Sequence, residues 1–166
     1  MPRFVKTFLS TSIPFGICMG VFWALIARWP MAFTLIAALL AGCLFGLVMA
    51  AFLASSKVQQ SARPVFQPHE QIIKAGPANH FMGREAVGGW LFLTDQRLVF
   101  KSHRFNLQNH ELALALTDIV RVQPSRTAWI IPNGLYVHTQ QGAIERFVVG
   151  ERDDWCRRIT ACLAEA

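Results

Sequence analysis

Between Thr7 and Ala54 a single ionisable side chain, Arg28, interrupts an otherwise apolar run, and no other feature restricts the chain so strongly. Residues 7–27 and residues 29–56 contain no Asp, Glu, Lys, Arg or His, and each stretch reaches the roughly 20 residues that a membrane-spanning helix requires. Residues 1–54 are therefore predicted to form a two-span transmembrane hairpin. Arg28-Trp29-Pro30 supplies its turn, combining a snorkelling cation, an interfacial aromatic and a helix breaker.

Charge predicts the orientation. Arg3 and Lys6 precede the first span, Lys57 and Arg63 follow the second, and Arg28 with Trp29 marks the opposite interface. This excess of Lys and Arg beside the outer ends places both termini in the cytoplasm. The spans also carry rows of small residues, Gly16 and Gly20 in the first and Ala38, Gly42, Gly46 and Ala50 in the second, which let helix backbones approach closely. These rows serve either to lock the hairpin or to join copies of it into a homo-oligomer. Ion paths and proton relays need ionisable groups inside the membrane, and the spans have none, which argues against a transporter or channel. A cleaved signal peptide is a poorer account of the first span, because its apolar run is too long and a second span follows at once.

The formal net charge of +6 would suggest a nucleic-acid partner, but its distribution does not. Arg3, Lys6, Arg28, Lys57 and Arg63 lie in residues 1–64 without one acidic side chain, while residues 65–166 are nearly balanced. The basic excess thus belongs to the anchor, where it serves topology and attraction to anionic membrane lipids, and no nucleic acid is expected. Cys18, Cys43, Cys156 and Cys162 form no C-x-x-C, and His69, His80, His103, His110 and His138 show no metal-ligand spacing. No metal and no cofactor is expected.

Residues 55–68, rich in Ser, Gln, Lys and Pro, read as a linker. Residues 69–166 read as one mainly-β domain. Gln71 to Phe81 is a strand broken by Gly76-Pro77, with a kink or edge character. Gly88 to Thr94 and Arg97 to Ser102 form a hairpin about Asp95-Gln96. Glu111 to Leu116 alternates Leu with Ala, and Asp118 to Gln123 places Val120 and Val122 opposite Ile119, Arg121 and Gln123. Trp129 to Ile131, a Pro132-Asn133-Gly134 turn, Leu135 to Thr139, a Gln140-Gln141-Gly142 turn and Ala143 to Val149 complete about seven antiparallel strands. A helix from about Glu151 carries Asp153 and Asp154 in its first turn, and its apolar face includes Trp155, suited to plug the open end of a curled sheet.

Seven strands closed by a helix resemble the pleckstrin-homology-like barrel. The run from Leu91 to Ser102 resembles the central hairpin of the GRAM domain, and Ile119-Val120, Asn133-Gly134-Leu135, Gly142, Phe147-Val148-Val149 and Trp155 follow in order over residues 69–164. The resemblance implies a non-enzymatic module that binds lipids or proteins at a membrane. The leading expectation is a membrane-anchored protein-docking or scaffolding module, with Trp129 as a contact and the protein partner unspecified. The alternative is a reader of anionic phospholipid or phosphoinositide headgroups. In the related fold, phosphates are held in the loops after strands 1 and 3, which here offers His80, Arg84, Lys101, His103, Arg104 and His110. An enzyme built on Glu111, Asp118, His110 or His138 lacks any spacing that joins them to a nucleophile, metal or phosphate loop, so no catalytic residue is expected.

Overall fold

The computed structural model describes residues 2–83, 85–104 and 109–165, with Arg3 described by its backbone alone. The chain divides into two compact units, Met1–Val58 and Gln59–Ala166.

In the first unit, helices α1 (Arg3–Leu25) and α2 (Met31–Ala54) pack along each other, joined by a turn in which Arg28 takes a left-handed φ of 52°. Trp29 folds back onto Trp23, the rings stacked with centroids 5.4 Å apart, and Phe15 stacks on Phe45 at 4.2 Å. The glycine rows lie between these helices. A β-carbon on Gly16 would stand 2.9 Å from the Ala38 carbonyl oxygen, and one on Gly42 would stand 2.6 Å from that of Ser12. The close packing expected of Gly16, Gly20, Gly42 and Gly46 is thus realised within one hairpin. Both helices are long and apolar enough to cross a membrane.

In the second unit, a short helix α3 (Ser56–Ser61), which begins just before it, leads towards a seven-stranded antiparallel sheet. The strands are β1 (Ile72–Met82), β2 (Glu85–Thr94), β3 (Arg97–Ser102), β4 (Glu111–Ala115), β5 (Ile119–Thr127), β6 (Ile131–Thr139) and β7 (Ile144–Val149). They lie in the order β4-β3-β2-β1-β7-β6-β5. Helix α4 (Arg152–Glu165) follows, with Trp155 and Ile159 fully buried among Leu91, Phe100, Leu135 and Phe147. The expected plug is therefore in place. The registers bring the β1–β2, β3–β4 and β6–β7 connections to one end of the sheet and the β2–β3 and β5–β6 turns to the other.

Several local expectations are corrected. The segment around β1 is not an edge: β1 is the central strand, bonded to β2 throughout and to β7 from Ala78 to Phe81. Pro77 falls just before the β7 pairing begins, where a residue without an N–H is tolerated. Trp129 and Ile130 are not in a strand, and Pro132-Asn133-Gly134 is not a turn. The turn is Ala128-Trp129, with φ of 49° and 69°, and β6 runs straight through residues 132–134. Gly134 is there because it lies opposite Ser125, whose hydroxyl and backbone would collide with any β-carbon. The alternation expected over Asp118 to Gln123 also fails. The pairing shifts between Ile119 and Arg121, leaving Val120 as the exposed residue of a bulge, so Ile119 and Val122 both reach the core.

The segment between α3 and β1 is held against the sheet rather than extended from it. Phe66 meets Phe92 edge to face at 5.5 Å, and the Arg97 guanidinium donates to both Glu70 carboxylate oxygens at 2.8 and 2.9 Å while donating to the Val65 carbonyl. The Glu70 side chain is fully covered, and its bond from Arg97 holds the carboxyl down at a pKa of about 2. A depressed carboxyl contributes stability above its ordinary value of 4.5 and loses it as pH falls towards about 2. Glu70→Gln is expected to cost about 2 kcal/mol at pH 7 and to flatten acid destabilisation in that window; thermal unfolding of the full chain in detergent across pH checks both.

Candidate functional site

At the end of the sheet where β3 leaves and β4 enters, the strands open into a recess of about 410 Å³ lined by Ser61, Lys101, Arg104, Asn109, His110 and Glu111. Its floor follows from local sequence. Gly89 pairs with Ser102, and a β-carbon there would drive into the Lys101 carbonyl, so only glycine lets β3 end this close to β2. The mouth is laced by Ser102, whose N–H donates to the His110 carbonyl at 2.8 Å and whose hydroxyl accepts the His110 N–H at 2.8 Å. The Lys101 ammonium meets the Glu111 carboxylate at 3.1 Å across the β3–β4 pair. The Arg104 N–H reaches Ser61 Oγ at 3.5 Å.

Behind this wall lies a chain of three polar side chains. His80, 3% exposed in β1, is flanked by the rings of Phe100 and Phe147. Its Nε2 lies 2.7 Å from a Glu145 carboxylate oxygen and its Nδ1 lies 3.0 Å from His110 Nε2. The carboxylate only accepts, so His80 Nε2 carries the hydrogen. His80 Nδ1 is then a lone pair, and His110 must donate to it from Nε2–H. Burial pushes His80 below the ordinary imidazole value, against the opposing pull of Glu145. His80 is therefore a neutral link between a carboxylate and the recess.

The structure thus gathers Lys101, Arg104 and His110 in the recess and sets His80 behind them. His80 is a buried strand residue, not the loop residue expected. His103 is half-buried beside the same connection, its N–H bonded to the Gly88 carbonyl at 3.3 Å, and it does not line the recess. Arg84 lies outside the described residues. Of the carboxylates and imidazoles named as an acid–base set, Glu111 and His110 line the recess, Asp118 sits in the 3-10 turn after β4 and His138 in β6. No group of three His, Cys, Asp or Glu among the described residues is placed to hold a metal. Glu145 is the residue sequence reasoning missed. Its link to His80 depends on the register of β1 with β7, in which Phe147 faces His80 and Glu145 lies two residues further along the same face.

An antiparallel seven-stranded sheet curled around its core, with loops gathered at one end and a helix closing the other side, defines a pleckstrin-homology-like domain. The chain belongs to the GRAM domain family, which it matches over residues 56–157. Among solved structures, the C-terminal domain of a protein from Leishmania infantum is similar, with 18% identity over 57% of this chain and 85% of that one, at a TM-score of 0.51. The Slm1 PH domain, solved with phosphoserine, shows 18% identity over 56% and 96% of the two chains at a TM-score of 0.46. The N-terminal PH domain of human ARAP2 shows 19% identity over 55% and 79% at 0.45. No curated protein matches the sequence.

Ser102→Ala removes the acceptor of the His110 N–H at a buried position, and is expected to destabilise the domain by about 1–2 kcal/mol and to speed hydrogen exchange at His110, measurable by NMR or mass spectrometry.

Proposed function

We propose that this chain is a membrane-anchored, non-catalytic binding module, in which residues 1–54 cross the bilayer twice, residues 55–68 link, and residues 69–166 bind ligand on the cytoplasmic side. The ligand supported best is an anionic phosphate headgroup, and the observation that carries it is the convergence of Lys101, Arg104 and His110 on one recess. Arg and Lys give charge-assisted hydrogen bonds to phosphate oxygens. The recess also contains Ser61, which follows the end of α2 by only a few residues of chain. So short a tether makes weak binding sufficient, because the local concentration of a membrane ligand is on the order of mM. Lys101 must exchange its Glu111 partner for the phosphate, which sets the affinity below that of an unopposed cation cluster.

A docking role has its own observation. Trp129 and Ile130 are 91% and 76% exposed at the tip of the β5–β6 turn, held outward by two successive left-handed residues, and this tip lies at the end of the sheet remote from the recess. Such backbone costs on the order of 1 kcal/mol per residue, and a large aromatic so presented suits a protein contact. One domain can therefore serve a headgroup at one end and a partner protein at the other. Replacement of Trp129 by Ser is expected to change unfolding stability by less than about 0.5 kcal/mol, since the ring contributes nothing to the core.

The headgroup reading is tested on the full chain in neutral detergent, titrated by calorimetry with short-chain phosphatidylinositol phosphate and short-chain phosphatidylcholine over a salt series. Binding of the anionic lipid alone, weakened by salt and reduced at least about tenfold in Lys101→Ala/Arg104→Ala, is expected. No binding of either lipid overturns the reading. Labelling of Cys156 or Cys162 by a thiol reagent supplied outside intact cells overturns the cytoplasmic orientation.

A further inference from the structure

The sheet balances its cations unevenly. In β1 and β3 every Lys and Arg meets a carboxylate: Lys74 that of Asp154, Arg97 that of Glu70 and Lys101 that of Glu111. In β5 and β7 none does. Among the described residues Arg121, Arg126 and Arg146 are exposed and have no carboxylate partner. Residues 119–144 contain no Asp or Glu, and Glu145, the next carboxylate along the chain, turns inward to His80.

Register gathers two of these cations on one face. Leu135 and Val137 of β6 enter the core, so Tyr136 and His138 between and beyond them point outward. Arg146 of β7 lies opposite Tyr136, its guanidinium 5.7 Å from the ring centroid. Arg121 of β5 lies opposite His138, whose other neighbour is the exposed Ile144. The two arginines therefore flank β6 on its outer side, their strands about 10 Å apart. The β5–β6 hairpin that carries this face ends in Trp129 and Ile130, with Arg126 just before the turn.

We infer that this face and the Trp129–Ile130 tip form one docking surface for an acidic protein segment, which sets an apolar side chain against the tip and carboxylates against Arg146 and Arg121. The inference deepens the docking reading and rests on it. Charge complementarity selects the occupant, since arginines left unanswered within the chain are free to pair across an interface. The aromatic tip supplies the anchor, and the arginines supply the choice of partner. Spacing argues against a bilayer. Strand rise puts Arg146 and Arg121 about 15–20 Å along the hairpin from its tip, whereas the polar layer of a membrane extends only about 8 Å beyond its apolar core. A tip inserted in lipid would leave both arginines beyond the headgroups. Two copies meeting face to face would set like charges together.

The probe is a displayed library of random peptides of about 12 residues, long enough when extended to reach from the tip to Arg121, selected on the full chain in neutral detergent. The selected peptides are expected to carry net negative charge and a large apolar side chain towards one end. Once synthesised, they are expected to bind at least about tenfold more weakly to Trp129→Ser and to Arg121→Glu/Arg146→Glu, and to weaken as salt is raised. Replacing their Asp and Glu by Lys is expected to restore binding to the charge-reversed variant, which a merely misfolded face could not do. Selected peptides that need Trp129 but are not acidic, or that ignore the charge reversal, overturn the inference and leave the docking reading standing. A selection that yields no peptide dependent on Trp129 overturns both. The other occupants are tested with the full chain in nanodiscs of phosphatidylcholine, with and without phosphatidylglycerol. The tryptophan emission that Trp129→Ser removes is expected to stay open to acrylamide in both, and the chain to stay monomeric. Shielding by the anionic bilayer gives the surface to lipid, and dimers lost in Trp129→Ser give it to a second copy; either overturns the inference.

Discussion

Trp155 is the side chain on which the closure of the sheet depends. The edge strands β4 and β5 do not pair with each other, so a sheet curled about its own apolar face remains open along that seam. Helix α4 packs against β5, β6 and the turn that follows β4, and sends Trp155 and Ile159 into the core among residues from every part of the sheet. Polar contacts fix the helix that carries the plug. Lys74 of β1 pairs with Asp154, its ammonium also standing 5.2 Å from the Trp155 ring, and Asp154 pairs again with Arg157 and Arg158. These cations hold the Asp154 carboxyl well below the usual carboxylate range. Burial of the tryptophan supplies the energy, and the ion pairs supply the orientation.

With one end closed by apolar packing, the other can hold polar side chains. His80 sits in a layer where Phe100 and Phe147 occupy the neighbouring positions, and an imidazole there is tolerated only because both nitrogens are bonded. Its two partners are unlike. One is a carboxylate and the other is a histidine at the surface, so the buried ring transmits polarity from β7 to the wall of the recess. A leucine at position 80 would pack as well and transmit nothing. His110 at the recess is thus joined through His80 of β1 to a carboxylate on β7.

The helical hairpin follows a different rule. Its two helices meet through close backbone approach and dispersion contact at their small residues. Gly16, Gly42 and Gly46 lie where any larger side chain would meet the backbone of the other helix. Their packing against each other makes the hairpin a unit in its own right, joined to the recess-bearing domain through α3.

The apolar run with its single Arg28, the Asp95-Gln96 and Gln140-Gln141-Gly142 turns, and the spacing of Trp155 in an amphipathic helix were legible from residue order alone, because each expresses a local rule of period, turn chemistry or length. Lys101, Arg104 and His110 were legible as candidates on the same basis, being polar residues beside a strand end. What the order of residues could not supply was anything that depends on which strands become neighbours. Asn133-Gly134 looks like a turn until Ser125 is placed opposite it, Val120 looks inward until the bulge at Ile119 shifts the alternation, and His80 looks like a loop residue until β1 is found at the centre of the sheet. Glu145 shows the limit most clearly. It lies far from His80 in sequence and 2.7 Å from it in space, and only the pairing of β1 with β7, a long-range register, decides that the two act together.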